Sequence, residues 1–561
     1  MRWRVLLCVP FLLFGCGITL FLIQDQRTQA SRLVDYLPVD TIALVVGENI
    51  PATLEWLRQT PVGTVALAAD TPQLLKQLGV AASVRARYAE GCKAFNLLRT
   101  DPGLGRLLDR RAVVALLPDD KGMVSRGALQ DHVVVLLYRP RGNTPRIAFE
   151  TSFGPVRGSE VASYRGQSVT TMAFDQERAV SCTHFSGGVL ACALTESMVH
   201  RCIDQSLRLM RAPESGLRTA AEFRRLREMA GDESDLFVYA DCPALLRAFS
   251  VQERNTQSEA GGLHHVGLYC RVREAKGRVG GAVLVQSERV RHWGQWLEFN
   301  PPVVAPLFQQ IREGIEFSFW SNLFRADAAW RFFLSQSSPE LHAVLAMLGQ
   351  SLINASGHTE ASFFSIFGSE LGLRMQSQEV PGQSPHFHSC LTVSIRDRAR
   401  AEHLMRTLTA PLQKVSVPGP WGDVVSLVLA NGLLKPAYLL SDDRLVFADH
   451  IELITRFHDF DPPADNRKIS SVSPAQTGNV FVHMQTSALV ERWKPVLVLL
   501  ARETSGSADL FSPQSRLILR RILVPMLDGM GHVGASSFRG SVFPDAVQGE
   551  LDYTVRATEI P

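Results

Sequence analysis

These 561 residues show almost no excess of either charge: 58 lysines and arginines stand against 55 aspartates and glutamates, and 56 remain basic once Arg2 and Arg4 are set aside. Proteins that bind nucleic acid carry a basic stripe that displaces counterions from phosphates. No Lys/Arg run of that kind occurs, so nucleic acid is not an expected partner. Local catalytic signatures are missing as well. There is no G-x-S-x-G elbow, no G-x-x-x-x-G-K-[ST] loop and no H-E-x-x-H pair, which removes the short motifs of serine hydrolases, P-loop enzymes and zinc proteases.

Cysteine is sparse and unclustered. The chain has 9, with no C-x-x-C pair, so a zinc ribbon or a thioredoxin-like site has no basis. Cys8 and Cys16 lie in the first apolar run, and the odd number left beyond it cannot all pair with one another. Cys182 and Cys192 flank the turn Ser186-Gly187-Gly188, where they can face each other across a hairpin. Two readings stand: a pair suited to an oxidising compartment, or two small buried apolar residues.

Long hydrophobic runs are scarce too, and the exception is N-terminal. Val5–Ile23 is uncharged and just long enough to cross a bilayer core of about 30 Å as a helix. With Arg2 and Arg4 in front of it, the positive-inside rule predicts an uncleaved signal anchor over residues 1–24. The expected location is the cell inner membrane, single-pass, with the body on the periplasmic side. Leu13-Phe14-Gly15-Cys16 resembles the box that precedes a lipidated cysteine, the competing reading; the apolar continuation Gly17–Ile23 favours the anchor.

What is present beyond the anchor is a repeated order of strand-and-helix patterns. Gly188–Asp204 aligns without gaps on Asp443–Asp459, with Leu190/Leu445, Ala193/Ala448, Arg201/Arg456 and Asp204/Asp459 identical. Asp235–Leu245 matches Asn479–Leu489, and His265-Val266-Gly267 recurs as His532-Val533-Gly534. Val133–Arg139 with Cys390–Arg396, and Ile42–Leu57 with Glu316–Arg331, extend the correspondence by pattern. The fold class expected is α+β: an N-terminal transmembrane helix followed by two tandem copies of a duplicated α+β module, 36–291 and 314–557. A connector at 292–313, rich in proline and aromatic residues, separates them.

Leu37-Pro38-Val39-Asp40-Thr41 just beyond the anchor, the strand-helix Gly188–Asp204, Gly216-Leu217 with Phe223 on the next helix, and the strand Phe237–Asp241 resemble bacterial membrane-anchored envelope proteins that carry a domain of unknown function. The resemblance covers most of the body and implies no activity, cofactor or catalytic residue. The second copy departs from it around Lys468–Gly478, where the helix holding Phe223 has no clear counterpart.

The candidate ligand cluster is His386-x-His388-x-Cys390, because a strand places alternate residues on one face and would align two imidazoles and a thiol for a soft metal. No fourth ligand is identifiable, so no metal and no cofactor is expected. His265 and His532, at matching places, read as turn residues before they read as ligands. Asp459, Asp461 and Asp465 lack the glycine and terminal glutamate of a calcium loop. Trp293, Trp296 and Phe299 at the connector are the candidate binding aromatics. The function expected is a non-enzymatic binding or scaffold module for an envelope component, protein or lipid-like, held at the membrane by its N-terminal helix. The alternative is an extracytoplasmic hydrolase or metal-dependent enzyme without a recognisable motif.

Overall fold

A computed structural model describes residues 33–555 apart from internal stretches, the longer of which are 101–107, 139–149, 250–262, 286–296, 305–314, 379–385, 459–476 and 502–516. Two compact units divide the chain: Met1–Val272 with Val279–Leu284, and Arg273–Arg278 with Val285–Pro561. Among the described residues no helix is long and apolar enough to cross a membrane. The longest, Ala82–Thr100, carries Arg85, Arg87, Glu90, Lys93 and Arg99.

This overturns the expected transmembrane fold class, and with it the signal anchor and the single-pass inner-membrane location. The apolar residues of the described chain are spent on strands of alternating burial and on short amphipathic helices. Val5–Ile23 lies outside the described residues. What organises each of the two units is an antiparallel sheet.

The first unit holds β1 (Ala43–Gly47), β2 (Ala112–Leu116), β3 (Val133–Tyr138), β4 (Gly158–Tyr164), β5 (Gln167–Ala173), β6 (Ala179–His184), β7 (Val189–Ala193), β8 (Leu236–Asp241), β9 (Leu263–Arg273) as far as Val272, and the Val279–Leu284 part of β10 (Lys276–Val285). Their order across the sheet is β4-β5-β6-β7-β3-β2-β1-β8-β9-β10, antiparallel at each registered step. Helices α1 (Ile50–Gln59), α2 (Pro61–Ala66), α3 (Thr71–Gln77) and α4 (Ala82–Thr100) fill the β1–β2 connection; α5 (Glu196–Arg211) and α6 (Ala221–Ala230) follow β7, and α7 (Cys242–Phe249) follows β8.

Helix α1 starts where local chemistry allows. Asn49 takes a left-handed conformation (φ 48°) and its side chain accepts from the Ala52 amide, and Pro51 sits in the first turn, so α1 is capped as it begins. Glu55 of α1 binds Arg58 at 2.8 Å and Arg99 of α4 at 2.6 Å; hydrogen bonds from Arg58, then Arg99, hold its carboxyl down at about 2. Helix α5 packs over β5, β6 and β7 through Met198, Val199, Cys202 and Ile203, all buried. That covers one face of β7, while Leu190 and Cys192 join Ile50, Leu54, Leu137 and Leu236 in the core on the other. With both faces covered, β7 is buried at each of its residues, which is why it reads as a continuous apolar run.

The second unit holds β11 (Phe317–Ser321), β12 (Phe367–Gln378), β13 (His386–Ile395), β14 (Gln413–Val417), β15 (Val424–Val428), β16 (Ala437–Leu440), β17 (Arg444–Ala448), β18 (Val480–Met484), β19 (Val533–Phe543) and β20 (Ala546–Val555). They run β14-β15-β16-β17-β13-β12-β11-β18-β19-β20, again antiparallel at every step. This is the strand order of the first unit. Helices α8 (Ala326–Gln336), α9 (Pro339–Ala355) and α10 (Glu360–Phe364) fill the β11–β12 connection, α11 (Arg398–Thr409) follows β13, α12 (Ile451–His458) follows β17, α13 (Thr486–Ala501) follows β18, and α14 (Val524–Met530) precedes β19.

The two-residue side-chain period of a strand explains how α11 and α12 divide this sheet. Ala437, Leu439, Val446 and Ala448 pack with Leu453 and Ile454 of α12. The intervening residues Tyr438 and Leu445 pack with Ala401, Leu404 and Met405 of α11.

Candidate functional site

The second unit carries an open cleft of about 960 Å3, within the size range of ligand sites. Three strand ends build it. Residues after β11 supply Phe324 and Arg325, the first turn of α8 supplies Asp327 and its next turn Arg331; α10 and the start of β12 supply Glu360, Phe364 and Phe367; the end of β13 supplies Arg396. Leu297, Glu298 and Phe299 close one side.

Backbone bonds hold these segments in place: the Glu298 amide donates to the Leu323 carbonyl at 3.1 Å, Phe324 to Ser369 at 2.9 Å, and Arg396 to Ile366 at 2.8 Å. Beneath them the Asn300 side chain donates to the Asn322 carbonyl at 2.6 Å. Asn479, with no exposed surface, donates to the Asn300 carbonyl at 2.8 Å and to Asn322 Oδ1 at 2.9 Å, and accepts from the Val542 amide at 2.8 Å. A buried amide whose donors and acceptor are all engaged fixes the chain around it.

Five charged residues of the cleft, Glu298, Arg325, Asp327, Arg331 and Arg396, are paired among themselves. Arg325 forks onto Asp327 through Nε at 3.2 Å and Nη2 at 2.8 Å. Arg331 reaches the same carboxylate at 2.8 Å, and Arg396 reaches both oxygens of Glu298 at 2.6 and 2.5 Å. Burial alone would raise the Asp327 carboxyl; the hydrogen bonds and charge of Arg325, with the charge of Arg331, outweigh it, and the net direction is down. The lining holds three arginines and three carboxylates, Glu298, Asp327 and Glu360, and the arginines are held by the first two.

Two hydroxyls line the cleft, and each is engaged locally. Thr359 caps α10 by accepting from the Ser362 amide at 3.3 Å, and Ser365 donates to the Ser362 carbonyl at 2.8 Å. Among the described lining residues there is no histidine, cysteine, lysine or tyrosine. The cleft therefore presents phenylalanine faces bordered by fixed, mutually neutralised charge.

Of the sequence candidates, Phe299 lies on this cleft, 40% exposed. Trp293 and Trp296 fall outside the described residues, as do His532, Asp459, Asp461 and Asp465. His386, His388 and Cys390 share strand β13. His388 Nδ1 stands 3.2 Å from Asp449 Oδ2, and Cys390 is 3% exposed in the α12-side core, its thiol pushed up to about 12 by burial. Among the described residues no group of three or more His, Cys, Asp or Glu is placed to hold a metal. His265 is half-buried beside Asp241, 3.8 Å away, and stacks on Tyr239.

Arg325, Asp327, Arg331, Glu360 and Arg396 were not singled out by sequence, because no short spacing links residues that meet only through the β11–β12–β13 pairing. The spacing G-x-G-x-x-G does occur, at Gly529–Gly534. It joins α14 to β19, the reverse of the strand-to-helix turn that cradles a pyrophosphate.

No protein-family model matches the chain, and no curated protein matches it. Among solved structures it is similar to TP0453 in several crystal forms. Crystal form IV is 9% identical with a TM-score of 0.22, covering 45% of this chain and 79% of that one. Crystal form I is 9% identical with a TM-score of 0.20, covering 45% and 78%. Likeness at that level carries no argument about fold or activity.

Proposed function

We propose that the chain is a non-enzymatic binding module whose second-unit cleft takes an extended protein segment, an apolar side chain seated on the phenylalanines and flanking charges of both signs meeting the rim. One observation carries the reading: every charge whose bonding is described in the cleft is already held by an opposite charge, and Asp327 is driven down. A general acid at neutral pH needs a carboxyl driven up, and a nucleophile needs an adjacent base. A docking surface needs the reverse, rigid apolar ground bordered by pre-oriented charge, with arginine and aromatic anchors dominating its energy.

The test is selection of a displayed random peptide library on the full chain. The expected outcome is enrichment of peptides with an aromatic or aliphatic anchor flanked by mixed charges. Phe299→Ala or Phe364→Ala should weaken their binding about tenfold, near 1.4 kcal/mol. Failure to enrich any peptide sinks the reading. So does turnover of ester or phosphoester substrates that disappears in a well-folded Asp327→Asn variant.

A further inference from the structure

Strands β6 and β7 form a hairpin in which Cys182 stands directly opposite Cys192. The ladder shows what kind of position this is. The Phe185 amide donates to the Val189 carbonyl at 2.8 Å, so hydrogen-bonded pairs fall at 185/189, 183/191 and 181/193, and the alternate pairs, 184/190 and 182/192, are not hydrogen-bonded. At such sites the two Cα atoms approach to about 4.5 Å and the side chains are closest. That separation lies inside the window a disulfide requires. The two sulfurs are 3.1 Å apart.

We propose that Cys182 and Cys192 are a modification site, a cross-strand disulfide that staples the β6–β7 hairpin when the chain folds in the presence of a disulfide oxidant. The reaction is thiol–disulfide exchange with a small-molecule or protein disulfide. Two S–H bonds are lost and one S–S bond forms between the cysteines, while the donor disulfide is reduced to two thiols that take up both protons. Both residues are free thiols here and both are buried, at 6% and 3% exposure. Burial pushes the Cys192 thiol up, and a protonated thiol shielded from solvent exchanges slowly. The staple therefore closes while the hairpin is still accessible and is afterwards shielded from reductants. It is a structural bond rather than a surface switch. Cys202, on α5, is fully buried and lies outside the register that brings the other two together.

Sequence makes the test direct. Trypsin cleaves after Arg178 and Arg201, and the peptide Ala179–Arg201 contains Cys182 and Cys192 and no other cysteine. The full chain is refolded from denaturant and dithiothreitol with either oxidised glutathione or dithiothreitol, then denatured, alkylated and digested. After refolding with oxidised glutathione this peptide should be unlabelled and two hydrogen masses light, becoming doubly labelled once reduced. The same product should form in Cys202→Ser. The oxidised chain should melt at least about 5 °C above its reduced form in the transition of the first unit. Alkylation of both cysteines after oxidative refolding, a glutathione adduct on either, or a bond from either to Cys202 would overturn the proposal. Because the readout uses the unmodified chain, it does not depend on a cysteine variant folding.

Discussion

The hairpins β6–β7 and β16–β17 hold the same place in the same strand order, yet they are closed by different chemistry. Where the first has Cys182 opposite Cys192, the second has Tyr438 opposite Phe447. The Ser441 amide donates to the Arg444 carbonyl at 2.9 Å, so Tyr438/Phe447 is likewise a non-hydrogen-bonded pair, the position where aromatic cross-strand contacts are strongest. In the second unit helix α11 covers that face. One site of close approach has been used twice, once for small thiols and once for aromatic bulk.

The units differ again in what they bury at the foot of the first strand. Ile42, 3% exposed, precedes β1; Glu316, 8% exposed, precedes β11 and pairs with Arg492 of α13 while accepting from Ser377. An apolar residue in one unit thus corresponds to a buried ion pair in the other. Removing one member of such a pair leaves the other charge desolvated and unmatched. Arg492→Met is expected to cost the second unit about 3 kcal/mol or more, read by urea denaturation, whereas Glu316→Ile with Arg492→Leu should recover most of the loss. A single substitution as mild as the double one would show that the pair is solvated and that the contrast with Ile42 has no energetic content.

The first unit has its own point of fixation. Gly216 adopts φ 101°, and a Cβ there would come within 2.5 Å of Gln205 Nε2 and 3.0 Å of the Leu37 carbonyl oxygen. The Leu217 amide donates to that same carbonyl at 3.1 Å. Gly216→Ala combines left-handed strain with a backbone collision, and a loss of about 2 kcal/mol is expected in the first transition alone. Asn479→Ala is its counterpart in the second unit. It strands the Val542 amide and Asn322 Oδ1, and about 2 kcal/mol should be lost there. If either variant lowers both transitions equally, the two units unfold as one and the comparison between them fails.

Legibility followed distance along the chain. The strands Leu236–Asp241 and Val480–Met484, each running into a helix through Asp-Cys-Pro or Gln-Thr-Ser, were readable because strand period, turn and helix lie within about a dozen residues. Phe299 was readable as one member of an aromatic group at the connector. Asp327 and Arg396 were not, since nothing local distinguishes a cleft arginine from a solvated one until β12 and β13 set their positions. The anchor reading failed for a related reason. The hydropathy of Val5–Ile23 speaks for that run alone, whereas the described chain carries its apolar residues on sheet strands and amphipathic helices, none of them long and apolar enough to cross a membrane.

The smallest effect is expected from protons, and it separates the units by residue. In the first, burial lowers the His265 pKa below its ordinary 6.5, a shift only partly offset by the Asp241 carboxylate. In the second, burial lowers that of His483, whose Nδ1 is 2.8 Å from the Ser537 hydroxyl oxygen. A histidine with a depressed folded pKa is neutral in both states well above 6.5. As pH falls through 6.5 the unfolded chain takes up the proton first, so unfolding is favoured, and the loss deepens until pH drops below the folded value. Stability should therefore be full near pH 8 and decline toward pH 5. His265→Gln should flatten that decline in the first transition, and His483→Gln in the second. Titration of the ring protons by NMR supplies the check: a folded pKa above 6.5 for either histidine would reverse the sign for its unit and place a stabilising partner where the packing shows mainly burial.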